Sequence, residues 1–166
     1  KFETLLRYMT EISIVVPVHN EDESIKPFLQ RAENVMNKIG KAYEIIFALD
    51  PSSDNTEKII LGEIKRNKNI RLLVFSRRFG QPAATIAGIL NCKGSYCVII
   101  DVDLQDPPEK IEELYKKIIS GFEVVYAKRK SRKGETFFKK IISSIGYYLI
   151  NKLSDIHIPR DAGDYR

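Results

Sequence analysis

The sequence predicts an α/β fold in which a mostly parallel β-sheet is covered by helices on both faces. Three observations point there. Short apolar runs alternate with stretches of helical periodicity from residue 12 onward. Those runs are too uniformly apolar to alternate between core and solvent, as strands of a doubly covered sheet are. The chemically distinctive residues follow the strand ends, where open sheets of this type bind ligands. They are His19, Asn20 and Glu21 after the first strand, Asp50 after the second, Arg77 and Arg78 after the third, and Asp101 and Asp103 after the fourth.

Taken in order, Ile12–Val18 reads as a buried strand ending around Pro17. Ile25, Phe28, Leu29, Ala32, Val35, Met36 and Ile39 follow at spacings of three and four, one face of an amphipathic helix. Ser24 suits its N-cap and Gly40 its stop. Tyr43–Leu49 is the second strand, and Ser52, Ser53 and Asp54 offer capping oxygens for a helix running to about residue 65. Residues 70–75 form the third strand. A short helix over 82–90 places Pro82 in its first turn. Residues 96–100 are the fourth strand, 108–120 the next helix and 122–127 a fifth strand. No internal repeat or linker interrupts this pattern.

The segment Ile99-Ile-Asp-Val-Asp-Leu-Gln-Asp-Pro-Pro-Glu109 says most about chemistry. A buried strand runs directly into two acids two residues apart, which on extended backbone share a side. Asp101 and Asp103 can then meet on one hard divalent cation, with Gln105 offering a further oxygen. Mg²⁺ or Mn²⁺ takes such ligands and shares its shell with substrate phosphate.

At 166 residues and 43% hydrophobic content the chain suits one domain with a sizeable core. The organisation expected is an N-terminal extension over residues 1–11, a core over 12–133, and an acceptor-side, membrane-proximal segment over 134–166. Met9 is a candidate native start. The end at Gly163-Asp-Tyr-Arg166, without a closing element, suggests a truncated piece of a longer protein. The formal charge of +5 is concentrated in Lys128, Arg129, Lys130, Arg132 and Lys133, followed by Lys139 and Lys140. Beyond it, Phe137, Phe138, Ile141, Ile142, Ile145, Tyr148 and Leu149 repeat at helical spacing. That helix can pack on the sheet, lie in a membrane interface, or do both. Cys92 and Cys97 lack the neighbours of a zinc site and read as reduced, buried thiols. Within these 166 residues the opening does not read as a signal peptide, and no apolar run is long enough to span a bilayer.

Five segments together resemble the GT-A glycosyltransferases of the large inverting family 2, and within it the polyprenyl-phosphate branch of the dolichol-phosphate mannose synthase and bactoprenol glucosyltransferase type. They are Ile14-Val-Val-Pro-Val-His-Asn-Glu21, Asp50-Pro-Ser-Ser-Asp-Asn-Thr56, Ser76-Arg-Arg-Phe-Gly-Gln-Pro-Ala-Ala84, Asp101-Val-Asp-Leu-Gln-Asp-Pro-Pro-Glu109 and Gly163-Asp-Tyr-Arg166. Each alone is weak, but their order and spacing match. The resemblance implies that Pro17, His19, Glu21, Asp50, Gln81, Asp101 and Val102 bind the nucleotide. It implies a metal on Asp101, Asp103 and Gln105, and an acceptor phosphate on Arg129, Arg132, Lys139 and Ser143. Two departures bear on nucleotide choice. Leu49-Asp50-Pro51 stands where Asp-Asp-Gly is usual, and Arg78 where asparagine is frequent.

The expected activity is therefore metal-dependent, inverting transfer of a sugar from a nucleotide-sugar, with UDP favoured, to a membrane polyprenyl phosphate. Its expected setting is the cytoplasmic membrane face, with an anchor downstream of residue 166. Asp103 and Arg129 would serve the reaction directly. Asp164 would be the general base for a hydroxyl acceptor, whereas a phosphate acceptor with a second pKa of about 6 needs mainly cationic positioning. Two readings stay open beside it: a family 2 enzyme acting on a saccharide hydroxyl, and a non-catalytic basic module on membrane or nucleic acid. The acid pair argues against nucleic acid as a partner, and a homo-oligomer is left open.

Overall fold

Among the described residues, alternating apolar runs and helical periods produce four parallel strands joined by helices. The computed structural model describes residues 10–127 and Tyr165. In chain order the elements are β1 (Ile12–Val18), α1 (Asp22–Ile39), β2 (Tyr43–Leu49), α2 (Thr56–Arg66), β3 (Ile70–Val74), α3 (Gln81–Leu90) and β4 (Tyr96–Ile99). A 3-10 turn (Pro108–Lys110) then leads into α4 (Ile111–Ile118). The sheet order is β3-β2-β1-β4, every pair parallel. Because Val18 is level with Leu49, and Leu49 with Val74, these three strands release their loops along one rim.

Side-chain alternation on the strands decides which helix each face receives. Ile12, Ile14, Val16 and Val18 of β1, with Ile45, Phe47 and Leu49 of β2, belong to a single buried cluster. The stripe of α1 packs into it through Ile25, Phe28, Leu29, Ala32, Val35 and Met36, and Phe28 meets Phe47 edge to face. Ile60 of α2 and Ile111 of α4 complete this side. On the opposite face α3 lies against β1 and β2. Gly88 comes so close that an added Cβ would sit 2.3 Å from Val15 Cγ1.

Several local expectations need correction. Ser24 is not the N-cap of α1, which starts at Asp22 with Glu21 before it. Inside the first turn, the Ser24 hydroxyl instead donates to Glu21 Oε2 at 2.7 Å. Gly40 does end α1, in the left-handed region at φ 70° with its N–H on Met36. The helix expected over 108–120 opens as a 3-10 turn, with the Lys110 N–H donating to the Pro107 carbonyl, and ends at Ile118. Residues 122–127 are irregular rather than a fifth strand. Phe122 and Val124 are exposed, and among the described residues Ala127 donates a backbone bond to Tyr165. The helix expected after residue 127 lies outside the described residues.

Candidate active site

The rim is held together by short polar side chains. After β1 the chain turns at Asn20, which adopts φ 54°, a conformation asparagine tolerates better than most residues. Its backbone N–H donates to Ser52 Oγ, and its own Oδ1 accepts from the Ser53 N–H at 2.8 Å. The Glu21 N–H donates to Thr56 Oγ1 at 2.8 Å. Asp54 caps two helices at once, accepting from the first residue of α2, Thr56, and from the first residue of α1, Asp22. Burial pushes the Asp54 carboxyl up, but the bonds from Thr56 and Asp22 outweigh it and hold it below the ordinary aspartate value. The β1–α1 and β2–α2 loops thus form one rigid wall.

Asp50 builds the adjoining wall. It is only 3% exposed, and its two oxygens accept from the N–H groups of Phe79 (3.1 Å) and Gly80 (2.7 Å). Gly80 sits at φ 86°, where a side chain would be strained. This grip holds the β3–α3 loop, so Arg78 and Gln81 reach the cleft from a fixed backbone. The Gln81 amide donates to Asp101 Oδ1 at 2.9 Å, orienting the first acid of the pair. A carboxylate has about four acceptor sites, so two backbone donors leave Asp50 capacity toward a ligand.

Between these walls lies an open cleft of about 300 Å³. Pro17, His19, Glu21, Asp50, Gln81, Asp101, Val102 and Asp103, all singled out in the sequence, line it. Val102 is buried beneath it, and His19 Nδ1 is a buried nitrogen with no partner among the described residues. Gln105 is not among the lining residues. Its side chain is exposed, and its backbone N–H donates to Asp103 Oδ1 at 3.0 Å, closing a turn in which Leu104 takes φ 62°. Two carboxylates on one wall are the hard oxygen donors that Mg²⁺ or Mn²⁺ takes. Among the described residues no group of three or more acidic, His or Cys side chains forms a closed cage. That fits an ion whose remaining ligands come from substrate phosphate.

Beneath this turn, Tyr165 is 2% exposed and its hydroxyl donates to the Pro107 carbonyl at 3.1 Å. Burial and the nearby Asp106 and Glu109 raise its phenol well above the usual value. Tyr165 is therefore tied to the loop that follows the acid pair. Asp164 itself, and Arg129, Arg132, Lys139 and Ser143, lie outside the described residues.

The description of Glycosyl transferase family 2 matches residues 13–166. The chain belongs to that family. It is 44% identical over 156 residues to the uncharacterized glycosyltransferase YkcC of Bacillus subtilis (strain 168), covering 94% of this chain and 48% of that one. The chain spans about half the length of the curated relatives it matches. Among solved structures it superposes on glucosyl-3-phosphoglycerate synthase from Mycobacterium tuberculosis, in complex with Mn²⁺, UDP and phosphoglyceric acid. The TM-score is 0.63 at 21% identity, over 90% of this chain and 51% of that one. It also superposes on the mannosyltransferase PcManGT from Pyrobaculum calidifontis in complex with GDP-Man and Mn²⁺. There the TM-score is 0.58 at 20% identity, over 74% and 36% of the two chains. At such identities the likeness concerns the fold, the GT-A arrangement of a parallel α/β sheet.

The sequence put Arg78 and Asn20 at the rim without giving either a specific contact. Arg78 lines the cleft, and Asn20 laces its wall. The position of Arg78 after β3 pointed to the rim, but the lacing pairs are 32 or more residues apart and carry no local signal.

Proposed function

We propose that this chain is the nucleotide-sugar-binding part of an enzyme that transfers a sugar, with inversion, from a UDP-linked donor to a membrane polyprenyl phosphate. The observation that carries the donor half is the cleft itself. Groups from four separate strand ends converge there, and Gln81 holds Asp101 beside Asp103. The relatives named as glycosyltransferases, and the Mn²⁺ and nucleotide complexes of fold neighbours, support the same reading.

In this reading Asp101 and Asp103 hold Mg²⁺ or Mn²⁺, which when bound supplies a Lewis acid for the charge on the departing diphosphate. Pro17 and Val102 offer apolar surface to the base, while His19, Glu21 and Asp50 offer polar contacts to base and ribose. Arg78, with no ion pair among the described residues, adds positive charge in a cleft otherwise lined by carboxylates. On the acceptor side, Arg129, Arg132, Lys139 and Ser143 position a phosphate that is already largely dianionic at neutral pH. Asp164 would act as base only for a hydroxyl acceptor. Among the described residues no helix is long and apolar enough to cross a membrane. The setting at the cytoplasmic membrane face therefore rests on the basic segment after residue 127 and on the resemblance.

A thermal-stability screen of nucleotide-sugars with and without Mn²⁺ tests the donor half, because a ligand of the native state raises its stability by mass action. Stabilisation by one UDP-sugar, dependent on Mn²⁺ and lost in Asp103→Asn, is expected. Metal-independent binding, or none, would overturn it. Transfer assays on the full-length protein then compare polyprenyl phosphate with a soluble saccharide, and activity on the saccharide alone would reassign the acceptor.

A further inference from the structure

We infer that Cys92 and Cys97 form a reversible thiol–disulfide site, at the end of the sheet away from the cleft, that takes small disulfide oxidants. The two sulfurs lie 3.4 Å apart and both residues are partly buried. Cys92 follows the end of α3, and Cys97 is the second residue of β4, beside Ser13 of β1. The turn between them is pinned to the sheet. The Lys93 N–H donates to Glu44 Oε1 at 2.6 Å and the Gly94 N–H to Ser13 Oγ at 2.9 Å. A Cβ on Gly94 would fall 2.7 Å from the Ser13 nitrogen, so glycine is what permits this close approach. With the turn fixed, the sulfurs need approach by only about 1.4 Å to reach the ~2.05 Å of a bond.

The pair is also asymmetric, as a nucleophile and a resolving thiol must be. Once Cys92 ionises, the Cys97 S–H donates to its thiolate. Ser13 and Arg71 assist against burial and Glu44, and the Cys92 thiol is lowered to about 7. The same sharing, with burial and Glu44, pushes Cys97 up. The Cys92 thiolate therefore attacks a reagent such as oxidised glutathione, forming a mixed disulfide and expelling one glutathione thiolate. Cys97 sulfur then attacks the Cys92 sulfur. The Cys92–glutathione bond breaks, and the Cys97 proton passes to the second departing thiolate. Two protein thiols are oxidised and one glutathione disulfide is reduced to two thiols. The bridge joins α3 to β4, the two elements whose other ends lead to Gln81 and Asp101.

The test treats the reduced full chain with oxidised glutathione at neutral pH, traps remaining thiols by alkylation, and maps peptides by mass spectrometry. The expected result is loss of both thiols to an internal Cys92–Cys97 bridge, faster in the native chain than in denaturant. Cys97→Ser should stop at glutathione on Cys92, and Cys92→Ser should react at least about tenfold more slowly than the parent. Parent protein that keeps both thiols, stops at the mixed disulfide, or bridges no faster than the unfolded chain overturns the proposal without recourse to either variant. A Cys92→Ser chain reacting as fast as the parent overturns the assignment of nucleophile.

Discussion

On the face covered by α1, α2 and α4, β1 and β2 present Ile12, Ile14, Val16, Ile45 and Phe47, all fully buried. On the face under α3, the alternate positions of the same strands present Ser13, Val15, Glu44 and Ile46, equally or almost equally buried. The first face is stabilised by apolar area, at about 25 cal/mol per Å² removed from water. The second mixes apolar contact near Gly88 with a polar cluster at the strand starts. There Glu44, 4% exposed, accepts from Ser13 Oγ (2.7 Å), Arg71 (2.6 Å) and the Lys93 N–H (2.6 Å). Burial alone would raise the Glu44 carboxyl, yet these three partners hold it below its ordinary value. One sheet thus supports both modes because Ser13 and Glu44, buried beneath α3, are satisfied by each other, by Arg71 and by the Lys93 N–H.

The comparison breaks first at Phe47. Phe47→Ala removes a fully buried ring from the apolar face and should cost about 3–5 kcal/mol in denaturant unfolding. A cost near that of a surface substitution would deny this face its leading role. Glu44→Gln comes next, at about 3 kcal/mol, the low end for breaking a buried pair because Arg71 keeps some access to water. A stabilised Glu44→Gln chain would show the polar cluster to be a liability rather than a support. Gly88→Ala should cost about 1–3 kcal/mol by overpacking against Val15, and Val15→Ala in the same chain should recover part of it.

Acid sharpens the contrast further. Glu44 and Asp54 both have lowered folded-state values, from 4.5 and 3.8 respectively. Their contributions are present in full above those values and are lost as pH falls through the folded ones. Thermal unfolding followed below pH 4.5 should therefore show a decline that is shallower in Glu44→Gln. The smallest stability effect belongs to the cleft. Asp103→Asn, at an exposed turn, should stay within about 0.5 kcal/mol of the parent while Mn²⁺-dependent nucleotide binding is lost.

Much of this was legible along the chain. The bounds of β1 and β2 follow directly from their apolar runs, and the α1 stripe buries the residues its spacing selected except Ile39, which is only partly covered. The acid pair, His19, Glu21, Asp50 and Arg78 reach one cleft because parallel strands release their loops at the same rim, while Asn20 and Arg77 do not line it. The expected fifth strand is irregular over 122–127, where Phe122 and Val124 are exposed and Ala127 donates to Tyr165 across the fold. Ser24 failed as a cap because Asp54, from the next loop, caps α1 instead.

Local pattern by itself determined the class of fold, the helix that faces the core, the acids and their rim, since these depend on side-chain period and on strand direction. Only the tertiary structure decided that Asp50 grips the backbone at Gly80, that Gln81 orients Asp101, and that Ser13 and Glu44 share a buried cluster with Arg71. Those pairings join residues 20 or more positions apart. A hydrogen bond a few ångströms long forms between them only after the sheet has brought its strands into register.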